Sequence, residues 1–184
     1  MPAPQYALVT YLKNELGRFV EELRRELHPE LGHLPVHMSI LPPRPLRGSE
    51  AQALATLGRL CESVAPFAVT VDGMESFLPV TPTVYLRVET PSLMNALHDR
   101  LNTEALACTE QWPYVSHLTI VKLADESRVP GVLELARERW RAYRGSRQAW
   151  VEELTFVREA PTASHWMDLA PVPLGRALAS RPRD

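Results

Sequence analysis

The sequence predicts a mixed helix and strand fold, built as two related lobes within one domain. Three observations carry this. The segments between prolines run strand, helix, strand, helix, strand, and then play that order again. Two corresponding strands carry a histidine at corresponding places, since Tyr6 to His37 spans 31 positions and Tyr85 to His117 spans 32. The offset between these histidines, 80 residues, is far longer than a solenoid period and so points to an internal duplication. Finally, 184 residues and 20.7 kDa make one ordinary domain, long enough to bury most of its apolar surface. The halves fall at roughly 5–80 and 81–170 of a single 1–184 unit, and 171–184 (PVPLGRALASRPRD), without a strong apolar pattern, reads as a surface tail.

Each element has its own signal. Seventeen prolines against eight glycines act as punctuation between periodic segments. Tyr6 to Leu12 is rich in β-branched and aromatic residues and reads as a strand. Asn14 caps a helix whose Leu16, Phe19, Val20, Leu23 and Leu27 share one face before Pro29. Val36 to Leu41 is a short strand. Ser49 and Gln52 have capping-box spacing, and Leu54, Leu57, Cys61 and Val64 stripe the next helix. Phe67, Val69 and Val71 alternate as a strand does. In the second series Val84 to Val88 is a strand, Pro91 opens a helix with Leu93, Leu97, Leu101 and Ala105 inside, and Val115 to Leu123 is a strand. A helix from Ser127 to Tyr143 buries Leu133, Ala136 and Trp140, and strands Trp150 to Val157 and His165 to Leu169 close the chain.

Composition narrows the function. Apolar residues at 45% and charged ones at 23% are ordinary globular usage, which removes support for disorder, collagen, coiled coil or a membrane span. A net charge of −2 and a pI near 6.3 leave no whole-molecule positive field for a long duplex, so a nucleic-acid partner is short or gripped locally. Cys61 and Cys108 form no CxxC, which points to a reducing compartment and away from a cysteine zinc site. Met1 to Leu12 lacks a signal-peptide pattern. A cytoplasmic monomer without membrane contact is expected.

The chemistry lies in two strands, His37-Met38-Ser39 (in PVHMSILPP) and His117-Leu118-Thr119 (in YVSHLTIVKL). Side chains alternate across a strand, so His37 shares a face with Ser39 and His117 with Thr119, while Met38, Ile40, Leu118 and Ile120 face the other way. If helices cover the apolar backs and the lobes face each other, two imidazoles and two hydroxyls converge on one cleft. That set suits a phosphodiester: one neutral imidazole takes a proton from water, and one imidazolium gives a proton to the leaving oxygen. The hydroxyls donate to the non-bridging phosphate oxygens. No metal is needed. A single His-x-Ser/Thr on a strand is more often a hydrogen-bonded structural residue; two in repeat register reverse that balance.

At these motifs the sequence resembles the 2H phosphoesterases, also called 2′-5′ RNA ligase-like or cyclic phosphodiesterase-like proteins. HMSILPP and HLTIVK match the paired motifs, and the duplicated layout covers nearly the whole chain. The resemblance implies an α+β fold of two pseudo-symmetric lobes, each an antiparallel sheet with helices on its outer face, and a central cleft holding both motifs. It implies chemistry on 2′,3′-cyclic phosphates or related RNA and nucleotide ends, with no cofactor. Members often carry a basic residue five positions after the second histidine, where Lys122 stands; strand parity sends Lys122 to the back unless the strand ends or bulges.

Other residues have weaker claims. Arg44 and Arg47 come after Pro42-Pro43 in a loop that can close over a phosphate. His33 and His37 are four apart, but Gly32 and Pro35 make that stretch a loop, which argues against helical metal ligands. Ser39 lacks the elbow glycines of a serine nucleophile. His28 sits in a helix's last turn, His98 on a charged helical face and His165 beside Trp166, and these read as structural or surface residues. Trp112 and Tyr114 read as core before base-stacking platforms. Arg137 to Arg147 reads as a helix with Trp140 inside and arginines in water before an RNA patch. The competing class is a nucleotide or RNA-end binding module with the same cleft and no turnover. An ATP-dependent ligase lacks its nucleotidyl-transfer lysine site and glycine loop.

Overall fold

A computed structural model describes residues 3–29, 35–160 and 165–175. Strand β1 (Tyr6–Tyr11) runs to Asn14, whose side chain accepts from the Gly17 N–H at 3.0 Å and caps helix α1 (Glu15–Leu27). Gly17 is required there, because a Cβ would lie 2.2 Å from the Leu12 carbonyl oxygen. Strand β2 (His37–Arg44), helix α2 (Glu50–Cys61) and strand β3 (Phe67–Ser76) come next. The box at Ser49 closes in both directions: the Gln52 N–H donates to Ser49 Oγ at 3.2 Å and the Ser49 N–H to Gln52 Oε1 at 2.8 Å. The second series is β4 (Thr83–Val88), α3 (Ser92–Leu101), β5 (His117–Lys122), α4 (Val129–Ala142), β6 (Gln148–Val151), β7 (Glu153–Glu159) and β8 (Trp166–Pro173).

The strands form one eight-stranded antiparallel sheet in the order β6-β3-β4-β5-β2-β1-β7-β8. The α+β class is as expected, but the division into one sheet per chain half is corrected. The last strand of the first half, β3, pairs with β4, and β7 of the second half pairs with β1. The first half lends β3 to the group of β4 and β5, and the second lends β7 and β8 to β1 and β2, because a two-stranded ribbon such as β1–β2 is marginal alone and further strands complete it. The seam between the two four-strand groups is β2 against β5, where Met38 opposite Leu118 is the paired position among the described residues.

The stretch expected as one strand over 150–157 is two, broken at Glu152. Its first part pairs with β3 and its second with β1. A single residue thus joins strands near opposite ends of the sheet order, so the sheet curls until those ends nearly meet. Residues from all four helices join one core with Leu8, Met38, Ile40, Leu86, Leu118 and Ile120. A second, small cluster of Ala7, Val9 and Val157, with Tyr11 and Trp166 against it, lies on the other face. That face carries the groove.

Three further expectations change. β2 continues through Pro42 and Pro43 to Arg44, at a place where its register against β1 shifts and missing N–H groups are tolerated. β8 extends to Pro173 and buries Val172, while Leu174 is buried beyond it and its N–H donates to the Glu152 carbonyl. The tail expected from 171 therefore belongs to the fold up to Gly175; 176–184 lie outside the described residues. In α3, Met94 takes the buried place expected for Leu93, which is half exposed. Both cysteines are free, and among the described residues no helix is long and apolar enough to cross a membrane.

Candidate active site

The two motif strands are built alike. In β2, His37 and Ser39 stand opposite Tyr11 and Val9 of β1. In β5, His117 and Thr119 stand opposite Arg87 and Tyr85 of β4. After each hydroxyl residue the register slips, so Ile40 and Leu41 both turn into the core, and so do Ile120 and Val121. A bulge of this kind reverses the facing of the residues beyond it. It brings Lys122 to the groove and settles the parity problem in favour of its reaching the front.

The histidine rings are fixed in the same way. His37 Nδ1 lies 2.8 Å from the carbonyl oxygen of Pro35, and His117 Nδ1 lies 2.6 Å from that of Val115, each two residues upstream. A carbonyl oxygen only accepts, so each Nδ1 carries its proton and Nε2 is the nitrogen left for proton transfer. Burial lowers the pKa of both rings. For His37, the Arg24 and His117 charges lower it further, against the Pro35 carbonyl. For His117, the Val115 carbonyl opposes burial.

The neighbours differ on the two sides. His37 meets the Tyr11 ring edge-on at 6.3 Å, and the Tyr11 hydroxyl donates to Asp168 Oδ1 at 2.6 Å. His117 sits against Phe77 at 4.9 Å and Tyr85 at 5.3 Å. The Tyr85 hydroxyl donates to Glu75, and its pKa is pushed up to about 12, chiefly by burial. Glu75 also pairs with Arg87 at 2.8 Å.

A cavity of about 610 Å³ is lined by His37, Ser39 and Thr119, by the basic Lys122 and Arg24, and by the apolar Val9, Val157 and Trp166. His117 is not among the residues lining this cavity; it stands on β5 opposite Arg87 of β4. Of the residues singled out in the sequence, His37, Ser39, Thr119 and Lys122 line this space, and His117 neighbours it closely enough for its charge to act on His37.

Arg44 is corrected. It ends β2 and is buried behind the sheet, where the second register slip turns it. Nε donates to the Pro42 carbonyl, Nη1 to Asn102 Oδ1 and the Leu106 carbonyl, and Nη2 to Glu110. Its donors serve the fold. His98 is likewise buried, stacked on Tyr114 at 4.1 Å with Nδ1 on the Ile40 carbonyl, so the solvated reading of it fails and the structural one holds. Tyr114 is partly buried and donates to the Ser39 carbonyl, whereas Trp112 is exposed. Trp140 is buried, while Arg139, Arg141 and Arg147 make surface ion pairs. His33 lies outside the described residues, among which no three His, Cys, Asp or Glu gather as metal ligands. His165 and Trp166, given no claim beyond the surface, line the groove. Arg24, near the end of an ordinary amphipathic helix, had no local signal at all.

The family model of the 2′-5′ RNA ligase superfamily matches residues 12–162. The chain belongs to that superfamily. A protein of Bacillus pumilus (strain SAFR-032) named "Putative phosphoesterase" is 28% identical over 137 residues, covering 72% of this chain and 80% of the relative. A similarly named protein of Bacillus licheniformis is 23% identical over 135 residues, covering 71% and 80%. Among solved structures, E. coli LigT in apo form superposes with a TM-score of 0.65 at 16% identity over 95% of this chain and 100% of LigT. TT0787 of Thermus thermophilus gives 0.63 at 18% identity over 92% and 97%. These likenesses show that the chain shares its fold with those solved structures.

Proposed function

We propose that this superfamily member is a metal-independent phosphodiesterase acting on 2′,3′-cyclic phosphates or related RNA and nucleotide ends. The observation that carries the reading is the pair of rings locked through Nδ1 on either side of two strand hydroxyls. In this reading the phosphate lies between Ser39 and Thr119, whose hydroxyls donate to its non-bridging oxygens as charge grows there. His37, held neutral by burial and by the Arg24 charge, takes a proton from the attacking water at Nε2. His117, reacting as the imidazolium with protons on both nitrogens, gives its Nε2 proton to the ribose oxygen as the old P–O bond breaks. Lys122 adds a positive charge to the same groove.

The apolar wall fits a nucleoside. Trp166, Val157 and Val9 offer a flat surface for a base, with Asp168 beyond it. E. coli LigT has been captured with phosphate and with 3′-AMP, which supports phosphate and nucleotide ligands for a groove of this fold.

The test is a panel of 2′,3′-cyclic nucleotides, ADP-ribose cyclic phosphate and short 2′-5′ and 3′-5′ oligonucleotides assayed in EDTA. Turnover of a cyclic phosphate that survives chelation is expected. Turnover lost in EDTA and restored by one divalent ion overturns the mechanism, and tight binding of the panel without hydrolysis makes the protein a binding module instead.

A further inference from the structure

Arg24 belongs to the last turn of α1, where basic side chains ordinarily project into water. Here it is 3% exposed. Nε and Nη2 both donate to the carbonyl oxygen of Thr119, at 2.8 and 2.6 Å, a residue 95 positions away on β5. The same side chain lines the groove beside Pro35, His37 and Ser39 of the first motif. It therefore stands at the seam of β2 and β5, where the sheet's own pairing is reduced to Met38 opposite Leu118.

We propose that Arg24 is a positioning residue for the two-histidine reaction: it holds the second motif strand at a set distance from the first through the Thr119 carbonyl, and it keeps a permanent positive charge beside His37. This rests on the phosphodiesterase reading above.

Two physical points support it. A fork of two N–H donors on one carbonyl fixes direction as well as distance, which a lysine ammonium on a flexible stem does not reproduce. Burial lowers the Arg24 pKa to about 10, which still leaves the guanidinium charged at neutral pH. That charge disfavours the imidazolium of His37, and it is not among the causes acting on His117. The two rings are thereby pushed apart in role. The other groups facing His37 are Tyr11 of β1, tied to Asp168 of β8; His117 and Lys122 of β5; and His165, just before β8. None of them is a fixed cation held by the backbone of the opposite motif.

The experiment is ring titration of His37 and His117 by NMR in the wild type, Arg24→Met and Arg24→Lys, alongside kcat and KM across pH. In Arg24→Met the His37 midpoint should rise by about half a unit or more, with a smaller change at His117. The acid limb of kcat should move the same way, and kcat should fall by on the order of a hundredfold with KM little changed. Arg24→Lys keeps the charge and loses the fork, so its His37 midpoint should stay near the wild-type value while kcat remains reduced. An unchanged His37 midpoint in folded Arg24→Met, or full turnover in Arg24→Lys, overturns the proposal. If Arg24→Met does not fold, Arg24→Lys decides the matter by the same two readouts. The titrations need no substrate, so an absence of phosphodiesterase activity leaves the charge effect separately measurable.

Discussion

His37 and His117 are held by the same device, each ring donating from Nδ1 to the carbonyl oxygen of the residue two places before it. The two motif strands share not only the His-x-Ser/Thr residues but the backbone contact that fixes the ring tautomer. Each ring then keeps the same nitrogen, Nε2, for proton transfer, which is what a reaction needing one base and one acid requires.

Replacing either ring should remove one arm of that transfer. His37→Ala and His117→Ala are each expected to lower turnover by a factor on the order of a hundred or more, and the double variant should be little worse than either single. Steady-state kinetics on a 2′,3′-cyclic nucleotide checks this. Near-normal rates in one single variant would reassign the pair to structure or binding.

The rings also couple the fold to pH. Burial lowers both pKa values below the usual 6.5. The unfolded chain therefore binds more protons than the folded one once pH drops below the ordinary histidine range. Stability from keeping these rings neutral is complete above that range and is lost as pH falls through the folded values. Thermal midpoints should fall between about pH 7.5 and pH 5, and the fall should be smaller in a His37→Asn, His117→Asn double variant. An equal fall in both proteins would assign the acid sensitivity to other groups.

Arg44 makes the opposite kind of prediction. Arg44→Met strips donors from the Pro42 and Leu106 carbonyls and from Asn102, and leaves Glu110 without its guanidinium. Loss of stability on the order of 3 kcal/mol is expected, read as a shifted urea midpoint, with turnover per folded molecule unchanged. A folded variant with weakened phosphate binding would return Arg44 to the groove.

How much of the molecule was legible in the sequence depended on the range of the interactions involved. The motif faces are a period-2 property of six residues, so His37, Ser39, His117 and Thr119 could be placed together from local pattern. The caps at Asn14 and Ser49 are equally local. Lys122 was half legible, because its facing depends on a bulge between β4 and β5 that only the paired register reveals. The exchange of β3 and β7 between halves was hidden, since a strand's pattern says which face is apolar and not which neighbour it chooses. Arg24 was hidden for the same reason: beside Arg25 it reads as an ordinary helix-end cation, and its acceptor is a carbonyl on another strand. Pro171 and Pro173 mask the alternation of Val172 and Leu174, so the local pattern there reads as a surface tail although both apolar residues are buried.

The hydroxyls should matter less than the rings, since they donate to the phosphate without moving its protons. Ser39→Ala and Thr119→Val are expected to leave measurable turnover, reduced by about a hundredfold each, whereas Thr119→Ser keeps the donor and should cost much less. The competing role, Ser39 as a covalent nucleophile, requires that Ser39→Ala abolish turnover and that a phosphorylated Ser39 be trapped by rapid quench and detected by mass spectrometry. Detecting that adduct ends the donor assignment.

Trp166 tests the substrate class. The cluster of Ala7, Val9 and Val157 on the groove side of the sheet ends in this indole, and no proton or developing charge reaches that far from His37 in the proposed reaction. Its contribution is therefore to binding that is equal in ground and transition states, which raises KM on removal and leaves kcat nearly constant. A stacked base is worth roughly 1–3 kcal/mol, so Trp166→Ala should raise KM for a 2′,3′-cyclic nucleotide by about tenfold. A base-free substrate such as glycerol 1,2-cyclic phosphate has nothing to stack, and its kinetics should be the same in both proteins. The ratio of the two KM changes isolates the base contact from any general damage to the groove. Equal losses on both substrates would mean that Trp166 supports the sheet, and that the apolar wall does not select nucleosides.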